Sequence, residues 1–191
     1  MRLYVRDPRE NLACVGPSTR RNPSTPTSGS TSGSRTWRSP EDGAWHTGSI
    51  RSALGAGAAV LDGQGRVLLM WRHRFITDTW GYEIPIGGIK EGELPKDAAA
   101  REVEEETGWR PGPLRPLVYT QPSSGLSDSE HHIFVADSAE YIGEPEEDWE
   151  AERLDWVPVE RVPDLVSKHE LVSGTSMNAL LYLYATGVGD R

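Results

Sequence analysis

Residues 87 to 109 read GGIKEGELPKDAAAREVEEETGW, and four of the five residues from Glu102 to Glu106 are glutamates. Like charges four apart on a helix cost a few tenths of a kcal/mol per pair, so a fold that includes this run as a helix needs something to offset the repulsion. The local signals are helical. Pro95 suits a first turn, where its missing N–H is not needed, Ala98, Ala99 and Ala100 favour helix, and Gly108 is a natural residue just past the C-terminus. The predicted helix runs from about Leu94 to Thr107. At roughly 100° per residue Ala99 and Val103 share one stripe, while Glu102, Glu105 and Glu106 share another.

Three carboxylates converging on one patch suit a hard divalent cation such as Mg²⁺ or Mn²⁺, which prefers oxygen ligands and cancels the repulsion. The run by itself is equally what a solvated acidic helix face looks like. The spacing of the surrounding residues separates the two. Gly87, then Glu93, then Arg101-Glu102, Glu105-Glu106 and Gly108 form seven fixed residues at fixed intervals, with an aliphatic Val103 among them. At every fixed position this resembles the signature of the Nudix hydrolases, with Trp109 where that family more often has an aliphatic residue.

The resemblance implies an α/β fold: a Nudix-like α/β/α sandwich with a mixed β-sheet and a loop-helix-loop catalytic motif. It implies metal ligands at Glu102, Glu105, Glu106 and the carbonyl of Ile86, with Glu102 and Glu106 foremost, and it makes Gly87 and Gly108 structural supports of the site. Glu93 and Arg101 are expected to pair, tying loop to helix and orienting the ligand carboxylates. The implied cofactor is Mg²⁺ or Mn²⁺.

The rest of the chain is consistent with one such domain. With 191 residues and 36% apolar content it can bury one sizeable core. Residues 22 to 34, NPSTPTSGSTSGS, have nothing apolar to bury, so residues 1–46 are expected to be a disordered leader and 47–191 the Nudix domain. Cys14 is the single cysteine, which excludes an intramolecular disulfide and a cysteine zinc site. No stretch of the chain is apolar over the 18 or more residues that span a bilayer, and a cytoplasmic protein is expected. The net charge is −9, and residues 1 to 50 hold seven arginines against four acidic residues, leaving −12 on the remainder. An acidic body argues against nucleic acid as a partner.

GAGAAVLD and RVLLMWRHRF read as paired strands joined at Asp62-Gly63-Gln64-Gly65. LRPLVYTQP, HHIFVADSAE and ERLDWVPVE read as three more, and SMNALLYLYATG as a closing amphipathic helix with Met177, Leu180, Leu181 and Tyr184 inward. Within the family the chain is similar to the ADP-ribose pyrophosphatase-like and nucleoside diphosphate-sugar hydrolase subgroup. Where that subgroup has a Gln-aromatic-Arg triplet this chain has Arg72-His73-Arg74, so Arg74 takes the place of the family arginine and could grip a phosphate bidentately. Trp80, Tyr82 and Glu83 stand where the subgroup has a Trp-Glu-Leu-Pro segment, which implies nucleoside contact. Pro122 and Glu130 match its Pro-rich loop and acidic residue, although Ser123-Ser124-Gly125 replaces the usual Pro-Gly. The catalytic base is expected on the acidic loop GEPEEDWEAERLDW, with Glu150 in register, Glu147 and Glu152 beside it, and Glu105 as the helical alternative. Adjacent His131 and His132 should point to opposite sides of a strand, which excludes a paired metal role.

The function so implied is metal-dependent hydrolysis of the pyrophosphate linkage of a nucleoside diphosphate derivative, ADP-ribose or a nucleotide sugar, into two phosphate monoesters. The partner is a small nucleotide and the assembly a homodimer, as is common in the subgroup. Two alternatives stay open: a nucleoside triphosphate or dinucleoside polyphosphate hydrolase, and a nucleotide-sensing module without catalysis. In a sensing module the box glutamates should be degraded, and here none is missing.

Overall fold

The computed structural model describes residues 31–39, 43–146 and 151–187. The strand β3 (Gly55–Val60), third in chain order after β1 (Thr31–Ser39) and β2 (Gly43–Arg51), organises the rest, because it is buried along its whole length and its side chains alternate between two cores. Ala56, Ala58 and Val60 face a helix, α1 (Pro95–Thr107), meeting Ala98, Ala99 and Val103. Ala59 and, two residues on, Leu61 face the opposite side, where α2 (Val162–Ser167) and α3 (Gly174–Thr186) supply Leu165, Leu180 and Leu183. Each fully buried leucine here contributes roughly 1.5–3 kcal/mol. Helices therefore lie on both sides of the strands, the sandwich expected from the sequence.

The remaining strands are β4 (Arg66–Arg74), β5 (Thr79–Glu83), β6 (Ile86–Gly88), β7 (Trp109–Pro111), β8 (Arg115–Thr120), β9 (His131–Ala136), β10 (Ala139–Tyr141) and β11 (Arg153–Pro158). One sheet has the order β6-β3-β9-β8, mixed because β3 and β9 run parallel, and another has the order β11-β4-β5, antiparallel throughout. β7 and β10 make a small ribbon, as do β1 and β2. Among the described residues no helix is long and apolar enough to cross a membrane.

Two expectations need correction. β3 and β4 do not pair with each other: both ladder edges of β3 are taken by β6 and β9, those of β4 by β5 and β11, and only a Leu61–Val67 bridge joins them. Asp62 still shapes the turn, its carboxylate accepting the Gln64 N–H at 2.8 Å and the Arg66 N–H at 3.1 Å. In α3, Tyr184 is 47% exposed and Leu183 takes the inward place, because the buried stripe is Ser176, Ala179, Leu180 and Leu183, rotated by one residue; Met177 and Leu181 lie partly buried against it. The backbone of β1 and β2 pairs from Thr31–Arg51 to Ser39–Gly43. A two-stranded ladder pairs the N–H and C=O groups that face each other without needing an apolar composition. Its end is tied to the domain, Ile50 donating its N–H to Leu126 O at 2.8 Å and Ser52 its N–H to Asp128 at 3.1 Å.

Candidate active site

α1 begins where Leu94, in extended conformation, precedes Pro95, and it ends at Gly108, whose φ of 69° is left-handed and whose N–H reaches Glu104 O at 2.9 Å. A side chain at Gly108 would collide with the Gly143 carbonyl, so glycine is required there both for the backbone angle and for the close approach. The stripe next to Ala99 and Val103 on the helix carries the glutamates. Glu102 and Glu106 are only 7% and 4% exposed, and Glu105 is half-buried. A bland solvated face is thereby excluded, because a buried carboxylate demands positive charge or donors around it.

Those partners are present. Arg101 sits at the centre: Nε and Nη2 bond the two oxygens of Glu93 at 2.8 and 3.0 Å, Nη1 bonds Glu102 at 2.6 Å and Glu105 at 2.7 Å, and Nη2 also donates to Gly88 O at 2.9 Å. The guanidinium, with the Lys90 N–H at 2.8 Å, holds the Glu93 carboxyl at about 2, well below its ordinary 4.5. Glu93, Glu102 and Glu105 in turn push the guanidinium further toward its charged form. Glu106 accepts the Ile86 N–H at 3.0 Å and faces the buried Arg72, Nη1 to Oε1 at 3.7 Å. Gly87 lies directly against Glu102, and a Cβ added there would overlap its carboxylate. Glycine is what lets the loop and the glutamate touch.

The carboxylate and carbonyl oxygens gathered here are the donor set a hard divalent cation takes. Among the described residues no three acidic, histidine or cysteine side chains stand close enough to enclose an ion as they are placed. Arg101 Nη1 bonds both Glu102 and Glu105, so positive charge offsets their repulsion, and the oxygens of Glu102, Glu105, Glu106 and the Ile86 carbonyl are of the type such an ion takes.

The alternation of β5 separates residues that the chain writes side by side. Glu83 is buried on the α1 side, where its two oxygens receive Arg74 Nε at 2.9 Å and Nη2 at 2.5 Å. Tyr82 lies on the other face, edge-on to Trp71 with centroids 4.8 Å apart, its hydroxyl donating to Asp155 at 2.8 Å and accepting from Arg153 at 3.2 Å. Tyr82 and Glu83 thus do not form one patch. Glu130 lies in the loop before β9, its carbonyl accepting the Gly55 N–H at 2.8 Å. Glu147 and Glu150 fall outside the described residues; Glu152 donates its N–H to Trp71 O at 2.9 Å and borders a cavity with Arg72 and Arg74. His131 turns to α3, meeting Thr175 Oγ1 at 2.8 Å, and burial lowers its pKa, while His132 packs on Tyr119. The two histidines do point apart.

Two cavities flank the site. One of about 440 Å³ lies beside Arg101, Glu105 and Glu144. The other, of about 510 Å³, lies at the open end of β4 and β5 between Arg72, Arg74, Phe75, Ile76, Trp80 and Glu152. Sequence reasoning missed Lys90, whose Nζ stands 3.6 Å from Glu105, and the Phe75-Ile76 pair. A lysine inside the motif's variable stretch carries no positional signal, whereas two apolar residues ahead of Thr-Asp-Thr could have been read as an apolar hairpin tip.

The model of the NUDIX domain matches residues 51–175. A hydrolase of Streptomyces rubellomurinus, named CMP-5'-(N-acetyl-N-hydroxy-3-aminopropyl)phosphonate hydrolase, is 44% identical over 143 residues, covering 74% of this chain and 69% of its own length. The ADP-ribose pyrophosphatase of Bacillus subtilis is 31% identical over 127 residues, covering 65% of this chain and 68% of that protein. A solved structure described as an ADP compounds hydrolase superposes with a TM-score of 0.75 at 17% identity, over 87% of this chain and 91% of that one, a likeness of fold. The chain belongs to the Nudix family, as a pyrophosphohydrolase, and that family's hydrolases generally use divalent metal ions.

Proposed function

We propose that the protein hydrolyses a P–O–P bridge joining a nucleoside 5′-monophosphate to a second phosphoryl group, with ADP-ribose or a nucleotide sugar as the substrate type and two phosphate monoesters as products. The observation that carries this reading is the burial of Glu102 and Glu106 on one stripe of α1, packed on Gly87 and balanced by Arg101 and Arg72. Glu102 and Glu106, with Glu105 and the Ile86 carbonyl, are the groups that would hold Mg²⁺ or Mn²⁺. When bound, the ion supplies Lewis acidity at phosphorus and neutralises charge on the departing phosphate.

The chain's own residues do the rest. Arg101 carries positive charge to Glu102 and Glu105, and Glu93 holds it in place, so the ligand carboxylates keep one orientation. Arg72 and Arg74 are assigned to the substrate phosphates, Glu83 aiming Arg74 through its two hydrogen bonds. Glu130 and the Pro122 loop are assigned to the far side of the substrate. Glu150 is the base that takes a proton from the attacking water, with Glu152 its neighbour and Glu105 the helical alternative. A cytoplasmic homodimer, with the domain occupying residues 47–191, completes the proposal.

A second reading has its own support. The relative at 44% identity is named for a CMP-phosphonate, whose second phosphorus belongs to a phosphonate. The same donors serve both substrates, since the bridge cleaved is P–O–P in each. The test is a panel of ADP-ribose, nucleotide sugars, nucleoside triphosphates and CMP-alkylphosphonates incubated with Mg²⁺ or Mn²⁺, with products identified by mass. Release of a nucleoside monophosphate from the diphosphate derivatives supports the first reading, selective cleavage of the phosphonates the second. Turnover of nucleoside triphosphates alone would overturn both.

A further inference from the structure

At roughly 100° per residue, Glu105 and Glu106 are the two edges of the carboxylate stripe on α1, with Glu102 between them. A different cation borders each edge. Arg72 Nη1 stands 3.7 Å from Glu106 Oε1, and Lys90 Nζ stands 3.6 Å from Glu105 Oε1. The two phosphoryl groups of a diphosphate drawn to this stripe therefore have a cation on either side. The chain beyond residue 50 carries −12, so each such cation offsets repulsion that a bound polyanion meets.

The cations beside Glu105 differ in what they still offer. Arg101 has five N–H donors, and all are spent on the protein: Glu93 takes two, and Glu102, Glu105 and Gly88 O take one each. Lys90 is held the other way round. Its N–H reaches Glu93 Oε2 at 2.8 Å and its carbonyl accepts the Glu93 N–H at 3.0 Å, so its main chain is fixed in the loop ahead of α1. Its side chain is 64% exposed, and at 3.6 Å the ammonium stands outside hydrogen-bond distance of Glu105. Arg101 already meets Glu105 at 2.7 Å, so that carboxylate has its countercharge without Lys90. An exposed pair of this kind adds little stability, and the ammonium donors stand beside the stripe for a ligand to take.

Resting on the function proposed above, we propose that Lys90 is a substrate contact: it takes the phosphoryl group on the Glu105 side of the stripe, while Arg72 and Arg74 take the one on the Glu106 side. The bridge to be cleaved then lies across the carboxylates, with positive charge at both ends. A lysine suits this edge because its charge rides on a flexible stem and follows the phosphoryl group, whereas the fork of Arg74 is aimed by Glu83. A sugar phosphate and a phosphonate present the same anionic oxygens to an ammonium, so the contact serves either substrate.

The test is the affinity of the full chain for methylenediphosphonate, whose P–C–P core is not hydrolysed, and for inorganic phosphate, each measured by calorimetry with saturating Mg²⁺. The parent is compared with Lys90→Gln, Lys90→Arg and Lys96→Gln, the last removing a lysine from the exposed first turn of α1. Lys90→Gln is expected to weaken methylenediphosphonate about fivefold or more and inorganic phosphate, held by the arginines, less than about twofold. Lys90→Arg should keep the parent's affinities within about threefold, and Lys96→Gln should leave both unchanged. Mn²⁺ binding, followed by its electron paramagnetic resonance signal, should be the same in all four chains. An unmoved methylenediphosphonate affinity in Lys90→Gln, or a parent that does not bind the probe, overturns the contact. Equal weakening in Lys96→Gln overturns it too, since net charge would then be the cause. Tighter Mn²⁺ binding in Lys90→Gln with an unmoved probe affinity means that Lys90 serves Glu105 alone. The probe carries no nucleoside and no turnover is read, so failure of the nucleotide panel defeats the proposed function and leaves this result standing.

Discussion

Arg101 and Glu93, eight residues apart, meet through two parallel hydrogen bonds, Nε to Oε1 at 2.8 Å and Nη2 to Oε2 at 3.0 Å. The same guanidinium reaches Glu102, Glu105 and the Gly88 carbonyl. One side chain therefore ties the loop before α1 to three carboxylates of the motif.

That pairing sets a pH dependence. The Glu93 carboxyl titrates at about 2 in the folded chain against an ordinary 4.5, so its stabilisation is complete above pH 4.5 and is lost as the pH falls from there toward 2. Glu93→Gln should cost about 1 kcal/mol at neutral pH, and the gap to the parent should close by pH 2–3. Urea unfolding at a series of pH values checks this; a constant gap would mean that the pair contributes through shape alone.

Glu106→Gln should abolish metal-dependent turnover, lowering kcat by about 10³-fold or more if a ligand charge is lost. The amide oxygen can still accept the Ile86 N–H, but Arg72 loses a buried countercharge, and stability should fall by about 1–3 kcal/mol. Steady-state kinetics with a parallel melting curve separate the two effects. Turnover within a few-fold of the parent would remove Glu106 from the ligand set.

Gly87→Ala places a methyl where the Glu102 carboxylate lies. Glu102 must move, so kcat should drop by about 10²-fold, and overpacking should cost about 1–3 kcal/mol. Gly88→Ala, whose added carbon meets nothing within 4 Å, is the matched control for stability. Equal losses of turnover in the two variants would show that the contact is irrelevant.

For the base, Glu150→Gln should reduce kcat by roughly 10²- to 10⁴-fold with KM nearly unmoved, because a general base acts in the transition state. Singly substituting Glu147, Glu150 and Glu152 under saturating Mg²⁺ decides the register. A large loss at Glu152, which borders the arginine cavity, with Glu150 silent would move the base two residues along the loop. Three mild effects would return it to Glu105.

How much of this was legible in the chain depended on distance along it. The helix appears as Pro95–Thr107 against an expected span from about Leu94, its cap is Gly108, and Ala99 and Val103 are its buried stripe. These features rest on neighbours within four residues, whose chemistry the sequence states directly. The Glu93–Arg101 pair was legible for the same reason, being enclosed within one short motif. The strand periods of two were legible as well, and they sent His131 and His132 to opposite faces.

What the sequence by itself determined, then, is α1, its capping glycine and the carboxylate stripe with Arg101 beside it. The tertiary structure alone decided that β3 and β4, one turn apart, enter different sheets, that Arg74 spends its guanidinium on Glu83, and that Tyr82 turns away from Glu83 toward Asp155, 73 residues on. It also decided that Leu183 rather than Tyr184 faces the core. Such choices depend on which distant edge or helix competes for a ladder or an apolar face. Pairing free energies of about 0.2–1 kcal/mol per contact become decisive only when summed over partners that local pattern does not name.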